Sequence, residues 1–148
     1  DTPAAAPSST PTVTPPAAIV DIIIPVYRGV TDTQRCLGSV LHSTLTTPAR
    51  IIVINDASPD PELTQWLRDQ AQREPRITLL ENPTNLGFVQ TVNRGMALAL
   101  DHDVLLLNSD TEVANNWLDR LRELQVGQRV FVGAAHAGVG GQRGQPGE

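Results

Sequence analysis

The sequence predicts an α/β domain with a mostly parallel sheet and helices on both of its faces. Two observations support this prediction. Short runs rich in Val, Ile and Leu alternate with segments whose apolar residues recur at helical spacing. The short runs are apolar at nearly every position, which is typical of strands that are covered on both sides.

The first half of the predicted unit contains two strand-helix pairs. The apolar run Ile19–Pro25 predicts the first strand, and Thr31 with Gln34 predicts a capping box that opens the first helix. Residues Arg50–Asn55 predict the second strand. The segment Pro59–Pro61 begins the second helix, since proline suits the first helical turn.

The second half repeats this order. Strands are predicted at Ile77–Leu80 and Asp103–Leu107, with a helix from Gly87 to Leu100 between them and a last helix capped by Asn115. The inward residues expected on the middle helix are Val89, Val92, Met96 and Leu100. Right-handed crossovers then give a Rossmann-like sheet whose strands all end at one edge, where ligands of such sheets bind.

The segments that flank this unit have a different composition. Residues 1–18 contain five of the twelve prolines and predict a disordered linker. Residues 126–148 contain seven of the eleven glycines and predict a poorly ordered tail, of foreign or frame-shifted origin. We therefore expect the folded unit to span residues 19–125 and to be part of a longer protein.

Composition excludes several classes of function. The net charge of −5 argues against nucleic-acid binding, and the absence of lysine excludes a P-loop or a Schiff base. The longest apolar runs have four to six residues, so no transmembrane segment is predicted. The single cysteine, Cys36, favours a reducing, cytoplasmic compartment. No glycine-rich dinucleotide fingerprint follows the first strand, and His102 lies at the opposite edge of the sheet.

Polar residues that follow the strands suggest chemistry, although each has a plainer explanation. Asp56 either accepts a hydrogen bond from a nucleobase or caps a turn. Asp110 either binds a divalent cation or belongs to an ordinary Asn-Ser-Asp turn. Gly87 either begins a helix whose N-terminus favours a diphosphate or lies in a plain loop. Tyr27 either stacks on a ligand or packs at the rim.

Four strings in this order carry a specific resemblance: IVDIIIPVYRG, RIIVINDASPD, NPTNLGFVQTVNRGMALAL and DVLLLNSDTEV. Together they resemble the family 2 glycosyltransferases of GT-A fold, and among them the rhamnosyltransferase-like members that build cell-surface polysaccharides. The resemblance covers Ile19 to Leu124. It implies transfer of a sugar from a UDP- or dTDP-linked donor to an acceptor hydroxyl, with inversion.

The resemblance also implies which residues hold the nucleotide. Pro25, Val26 and Tyr27 match the loop that holds the base, and Asp56 matches the aspartate that pairs with it. Arg28 departs from the family pattern, because asparagine is common at that position.

Further positions match the part of the site that holds the diphosphate. Asn85, Gly87 and Phe88 match a turn beside the nucleotide, and Asn93 falls on the polar face of the helix that follows. The stretch Asn108, Ser109 and Asp110 matches the DXD motif, with Asn in place of the first Asp. This leaves Asp110 as the expected ligand of Mg²⁺ or Mn²⁺.

The family's general base and acceptor-binding elements lie beyond this motif, and nothing after Leu124 resembles them. We therefore expect donor binding without transfer, with a saccharide or lipid-linked acceptor bound by a missing region. The whole protein would be cytoplasmic or peripheral at the inner face of the membrane. The alternative is a non-catalytic module that binds a nucleotide sugar or acts as a scaffold in a larger protein.

Overall fold

The computed structural model describes residues 19–98, 101–124 and 130–132. The predicted linker lies outside these residues, as does most of the predicted tail. Nine elements follow in chain order. They are β1 (Val20–Val26), α1 (Val30–His42), β2 (Ala49–Asn55), α2 (Pro61–Arg73), β3 (Ile77–Glu81), α3 (Phe88–Ala97), β4 (Asp103–Leu106), α4 (Trp117–Leu124) and β5 (Val130–Val132).

The strands form a single sheet in the order β3-β2-β1-β4-β5, and every pair is parallel. The predicted α/β class and its parallel sheet are therefore confirmed. Strand β5 was not predicted; it pairs with β4 and lies within residues 126–148, where the sequence predicted a glycine-rich, poorly ordered tail. Its position extends the sheet by one strand beyond β4.

The core lies on both faces of the sheet because alternate residues of each strand point to opposite sides. Ile22 and Ile24 of β1 face α1, α2 and α4, whereas Ile23 faces α3. All three are essentially fully buried. Each such side chain contributes about 1.5–3 kcal/mol relative to exposure, so β1 is anchored from both sides.

Helix α3 approaches the sheet at Gly95. A methyl group at this position would lie 2.8 Å from Cδ1 of Ile54 and 3.0 Å from Cγ2 of Ile23. The absence of a side chain at Gly95 therefore allows the helix to sit directly on β1 and β2. This contact sets the distance between the sheet and the C-terminal part of α3.

The predicted capping box of the first helix is wrong. Helix α1 begins at Val30, before Thr31, and no side chain caps it. Gly29 precedes the helix with φ of 90°, a conformation that glycine adopts readily, and its carbonyl accepts the first helical bond from the Thr33 N–H. The start of α2 agrees with the prediction, since the helix begins at Pro61 with proline in its first turn; the Asp60 side chain in addition accepts hydrogen bonds from that turn.

Two other helix predictions need correction. Val89 was expected to face inward but is 69% exposed, because the buried face of α3 consists of Thr91, Val92 and Gly95. Asn115 does not cap the last helix. It has φ of 55° in the preceding turn, and α4 begins two residues later at Trp117.

Within the described ranges, no helix is long and apolar enough to span a bilayer.

Substituting Gly95 tests the close approach of α3. We expect Gly95→Ala to lower the free energy of unfolding by about 1–2 kcal/mol, because overpacking against two buried isoleucines outweighs alanine's better helix propensity. Urea unfolding followed by circular dichroism measures this change.

The matched control for this substitution is Gly38→Ala in α1. A methyl group there meets no atom within 4 Å, so the control should stabilise the chain by up to about 1 kcal/mol. Equal effects at the two positions would contradict the packing argument.

Candidate functional site

A cleft of about 490 Å³ opens at the edge of the sheet where the strands end. Thirteen residues from five separate segments line it. They are Pro25, Val26, Tyr27, Arg28, Asp32, Asp56, Asn85, Gly87, Phe88, Thr91, Asn108, Ser109 and Asp110. Ten of the eleven residues assigned from the resemblance are thus brought together, although they are spread over 86 positions of the sequence (25 to 110).

Asn93 is the predicted site residue that the cleft does not include. It is exposed on the second turn of α3, whereas the cleft meets this helix at Phe88 and Thr91. Successive residues of a helix are rotated by about 100° about its axis. Asn93 therefore does not fall on the side of α3 that carries Phe88 and Thr91.

Parallel pairing continues past the strand ends and sets the floor of the cleft. The Asp56 N–H donates to the Val26 carbonyl at 2.8 Å, and the Asn82 N–H donates to the Asn55 carbonyl at 2.8 Å. On the other side of β1, the Leu107 N–H donates to the Ile23 carbonyl at 2.9 Å. These bonds hold the residues that follow β1, β2, β3 and β4 in one layer.

Asp56 is the most highly bonded polar side chain of the cleft. It is 5% exposed. Its Oδ1 accepts the Leu86 N–H at 2.7 Å and the Asn82 side-chain N–H at 2.8 Å, while Oδ2 accepts the Gly87 N–H at 3.0 Å. The carboxylate therefore ties the end of β2 to the turn that leads into α3, which is the capping function left open by the sequence.

This environment lowers the pKa of the Asp56 carboxyl. Burial acts to raise the pKa, but the hydrogen bonds from Leu86, Asn82, Gly87 and Thr91 together outweigh burial. Asp56 is consequently ionised across the physiological range, and its negative charge lies at the N-terminus of α3, where the helix dipole favours it.

Asn82 extends the network around Asp56. Its Nδ2 also donates to Thr91 Oγ1 at 3.0 Å, and its Oδ1 accepts a hydrogen bond from Arg94 at 2.6 Å. Asn82 is 5% exposed and Thr91 is fully buried. The side chains of Asp56 and Asn82 thus both hold the start of α3.

The N-terminus of α3 borders the cleft and can accept an anion. Gly87 precedes the helix with φ of 82° and ψ of 169°, which favours glycine. The first N–H groups of a helix have no partner within it. Because Leu86 and Gly87 already donate to Asp56, the groups available to a ligand begin at Phe88.

The loop after β4 carries the Asn108-Ser109-Asp110 stretch and is braced from behind by α1. The Cys36 thiol donates to the Asn108 carbonyl at 3.4 Å, and the Thr111 N–H donates to the same carbonyl at 3.1 Å. Asp110 is exposed. In the described part of the chain, no group of three or more His, Cys, Asp or Glu side chains is placed to hold a metal.

The donor set therefore fits a hard cation only in part. Asp110 supplies one carboxylate, so Mg²⁺ or Mn²⁺ would need further oxygens from phosphate and water.

Burial, together with nearby Asp110 and Glu112, raises the pKa of Cys36 to about 12, although the hydrogen bond from the Thr111 N–H acts to lower it. Cys36 thus remains a thiol and packs behind the loop rather than acting on a ligand.

Arg28, Asp32 and Thr91 line the cleft but were not predicted to do so. Arg28 follows Tyr27 directly, and its guanidinium carbon lies 5.2 Å from the centroid of the Tyr27 ring. Asp32 lies in the first turn of α1, which begins at the same edge of the sheet. Of these three residues, only Arg28 was noticeable in the sequence, because asparagine is common at this position in the family.

The profile of glycosyl transferase family 2 matches residues 21–145. The chain belongs to this family. The matched residues include all five strands of this family 2 chain, apart from the first residue of β1. They also include most of residues 126–148, the segment for which the sequence suggested a foreign origin. The narrower resemblance to rhamnosyltransferase-like members stays a prediction.

Two curated relatives support the assignment. An uncharacterized glycosyltransferase of Haemophilus influenzae is 25% identical over 103 residues, which cover 70% of this chain and 31% of the relative. The uncharacterized glycosyltransferase EpsJ of Bacillus subtilis is 30% identical over 105 residues, covering 71% of this chain and 30% of EpsJ. The family 2 chain thus spans about a third of the length of these relatives.

A solved structure has the same fold. The mannosyltransferase PcManGT from Pyrobaculum calidifontis, in complex with GDP-Man and Mn²⁺, superposes with a TM-score of 0.55 and 20% identity over 63% of this chain and 28% of PcManGT. The predicted GT-A type of fold is confirmed.

Asp56→Asn tests the link between β2 and α3. At pH 7 we expect it to lower the free energy of unfolding by about 1–3 kcal/mol, because an amide cannot accept all the N–H groups that the carboxylate accepts. Urea unfolding at several pH values measures the change.

The pH dependence of this effect has a defined sign. Because the folded-state pKa of Asp56 is lowered, its stabilisation is complete above the unfolded-state value of about 3.9 and disappears as the pH falls through the folded-state pKa. The difference between the two proteins should therefore shrink in acid. The exposed Asp101→Asn is the control and should change stability little; a pH-independent loss in Asp56→Asn would contradict the charged role.

Proposed function

We propose that this chain forms the donor site of a glycosyltransferase that moves a sugar from a nucleoside-diphosphate donor to an acceptor hydroxyl, with inversion. One observation carries the proposal. A single cleft gathers an aromatic ring at Tyr27, the N-terminus of α3 and the carboxylate of Asp110. These features suit the base, the diphosphate and a cation bound to that diphosphate, respectively.

The base is held on the β1 and β2 side of the cleft in this proposal. Tyr27 is 37% exposed and offers a ring face for stacking, beside Pro25 and Val26. Asp56 Oδ2 accepts the Gly87 N–H, and a carboxylate oxygen has capacity for more than one donor. A uracil or thymine N–H fits this capacity, so UDP- and dTDP-linked donors are the proposed ligands.

The diphosphate lies between α3 and the loop after β4. The turn at Asn85 and Gly87 and the helix N-terminus at Phe88 favour its negative charge, by roughly 0.3–1 kcal/mol. Asp110, with Asn108 and Ser109 beside it, would hold a divalent cation shared with phosphate oxygens. When bound, such a cation stabilises the negative charge on the leaving diphosphate as a Lewis acid.

Transfer requires a general base as well as a donor site. An acceptor hydroxyl must lose its proton to this base as it attacks, and in this proposal Asp56 is committed to α3 and Asp110 to the cation. We assign the base and the site for a saccharide or lipid-linked acceptor to the remainder of a longer protein, since the chain spans 31% and 30% of the relatives described above.

Two further features of the whole protein are part of this proposal. The chain alone binds donor but transfers little sugar, and the longer protein acts in cell-surface polysaccharide synthesis. We place that protein in the cytoplasm, where the lone Cys36 stays reduced, with peripheral attachment to the inner face of the membrane.

Calorimetric titration of the purified chain with UDP, dTDP and GDP, each with and without Mn²⁺, tests the donor site. We expect Mn²⁺-dependent binding of a uracil or thymine nucleotide. Asp110→Ala should weaken that binding at least about tenfold, because it removes the one carboxylate proposed to hold the cation.

The control variant is Glu112→Ala. Glu112 lies two residues further along, with its side chain 61% exposed and outside the cleft lining, so its removal should leave affinity unchanged. A folded chain that binds none of the nucleotides would overturn the donor site and favour a scaffolding module. If both variants lost the same affinity, Asp110 would act only through its negative charge and not as a specific ligand of the cation.

A further inference from the structure

The cleft contains a basic side chain that the family resemblance does not assign. We propose that Arg28 binds the diphosphate of the nucleotide sugar directly and so acts as a second positive group beside the metal site. This inference rests on the proposed function, because it adds a ligand-binding residue to the same donor site.

The charge of the cleft is the first reason. Three carboxylates line it, those of Asp32, Asp56 and Asp110. Among the lining residues that the structure describes, Arg28 is the one basic side chain. A diphosphate entering this cleft adds negative charge to negative charge, and a single divalent cation at Asp110 cannot offset both the carboxylates and the ligand. The guanidinium of Arg28 in the same cleft adds positive charge that offsets part of this excess.

The second reason is that Arg28 is not engaged by the protein's own acids. Arg50, Arg68 and Arg76 each form an ion pair of 2.8–2.9 Å with a carboxylate. Over the described ranges, no carboxylate lies within ion-pair distance of Arg28, even though Asp32 lines the same cleft. Its donors therefore remain available for an anion from solution.

The contact with Tyr27 prepares Arg28 for this role. The guanidinium carbon of Arg28 lies over the Tyr27 ring, 5.2 Å from its centroid, which is within the range of a cation–π contact. The ring thereby restricts the side-chain rotamers of an exposed arginine, so less conformational entropy is lost when a ligand binds. A guanidinium held in this way can donate two parallel hydrogen bonds to phosphate oxygens.

The backbone around Arg28 is also fixed. The residue lies between the last residue of β1, Val26, and the start of α1 at Val30. Gly29, with φ of 90°, turns the chain sharply into the helix. Arg28 is therefore placed by two regular elements, at the strand end next to the Asp110 loop, rather than by a long loop.

A comparison of nucleotide, nucleoside and variant tests the assignment. The probes are the nucleoside diphosphate that the unchanged chain binds most tightly among UDP, dTDP and GDP, and the corresponding nucleoside, titrated with Mn²⁺ by calorimetry and ligand-observed NMR. We expect Arg28→Gln to weaken diphosphate binding about tenfold or more and nucleoside binding less than about twofold. Arg28→Lys should recover part of the diphosphate affinity.

The matched control is Arg73→Gln, which removes the same charge from the exposed last turn of α2, away from the cleft. Unchanged affinity in this control and a diphosphate-specific loss in Arg28→Gln would support the proposal. Equal losses for diphosphate and nucleoside would overturn it, since Arg28 would then act only by orienting Tyr27. Unimpaired binding by Arg28→Gln would overturn it as well.

The two proposals fail in different ways. If the unchanged chain binds no nucleotide, the donor site itself is wrong and the role of Arg28 falls with it. If the unchanged chain binds the diphosphate in a Mn²⁺-dependent manner and Arg28→Gln binds equally well, only the role of Arg28 is overturned. Thermal unfolding of each variant confirms that the exposed substitution leaves the fold intact.

Discussion

The cleft depends on the Asp56 carboxylate. Strand β2 and helix α3 are distant in sequence, yet the side chain at the end of β2 accepts N–H groups from the turn that begins α3. This turn includes Gly87, and Asn82 and Thr91 complete the network around it. Without an ionised acceptor at Asp56, buried donors would lack partners at the position where α3 meets the sheet.

Parallel pairing supplies the second constraint. The register of β1 with β2 and β4 places the residues after each strand in one layer, and bonds past the strand ends extend that layer. The contact at Gly95 then sets α3 against β1 and β2. The site is therefore built on rigid elements, with its polar groups supplied by short connections.

The electrostatics of the cleft follow from this construction. The same strand ends that supply an acceptor at Asp56 and an exposed carboxylate at Asp110 also make the cleft acidic. An anionic donor is compatible with such a cleft only if cations accompany it. The divalent ion proposed at Asp110 and the guanidinium of Arg28 would both supply positive charge to this cleft.

The sequence determined a large part of this structure by itself. Nearly continuous apolar runs are sufficient to predict buried parallel strands, because apolar periodicity reports burial directly. The sequence could therefore place β1 to β4 and the strand ends, including Asp56 and Asp110, within one or two residues. It was less reliable for helix boundaries, since caps such as Gly29 depend on a backbone angle that residue type does not fix.

Only the tertiary structure decided how the polar residues are used. The sequence could not show which groups Asp56 contacts, and its bonds to the Leu86 and Gly87 N–H groups became visible only when α3 was in place. It likewise could not show that Val89 is exposed, that β5 extends the sheet, or that the Arg28 guanidinium lies over the Tyr27 ring at the cleft. The physical reason is that these features depend on contacts between residues far apart in the chain, which local pattern does not encode.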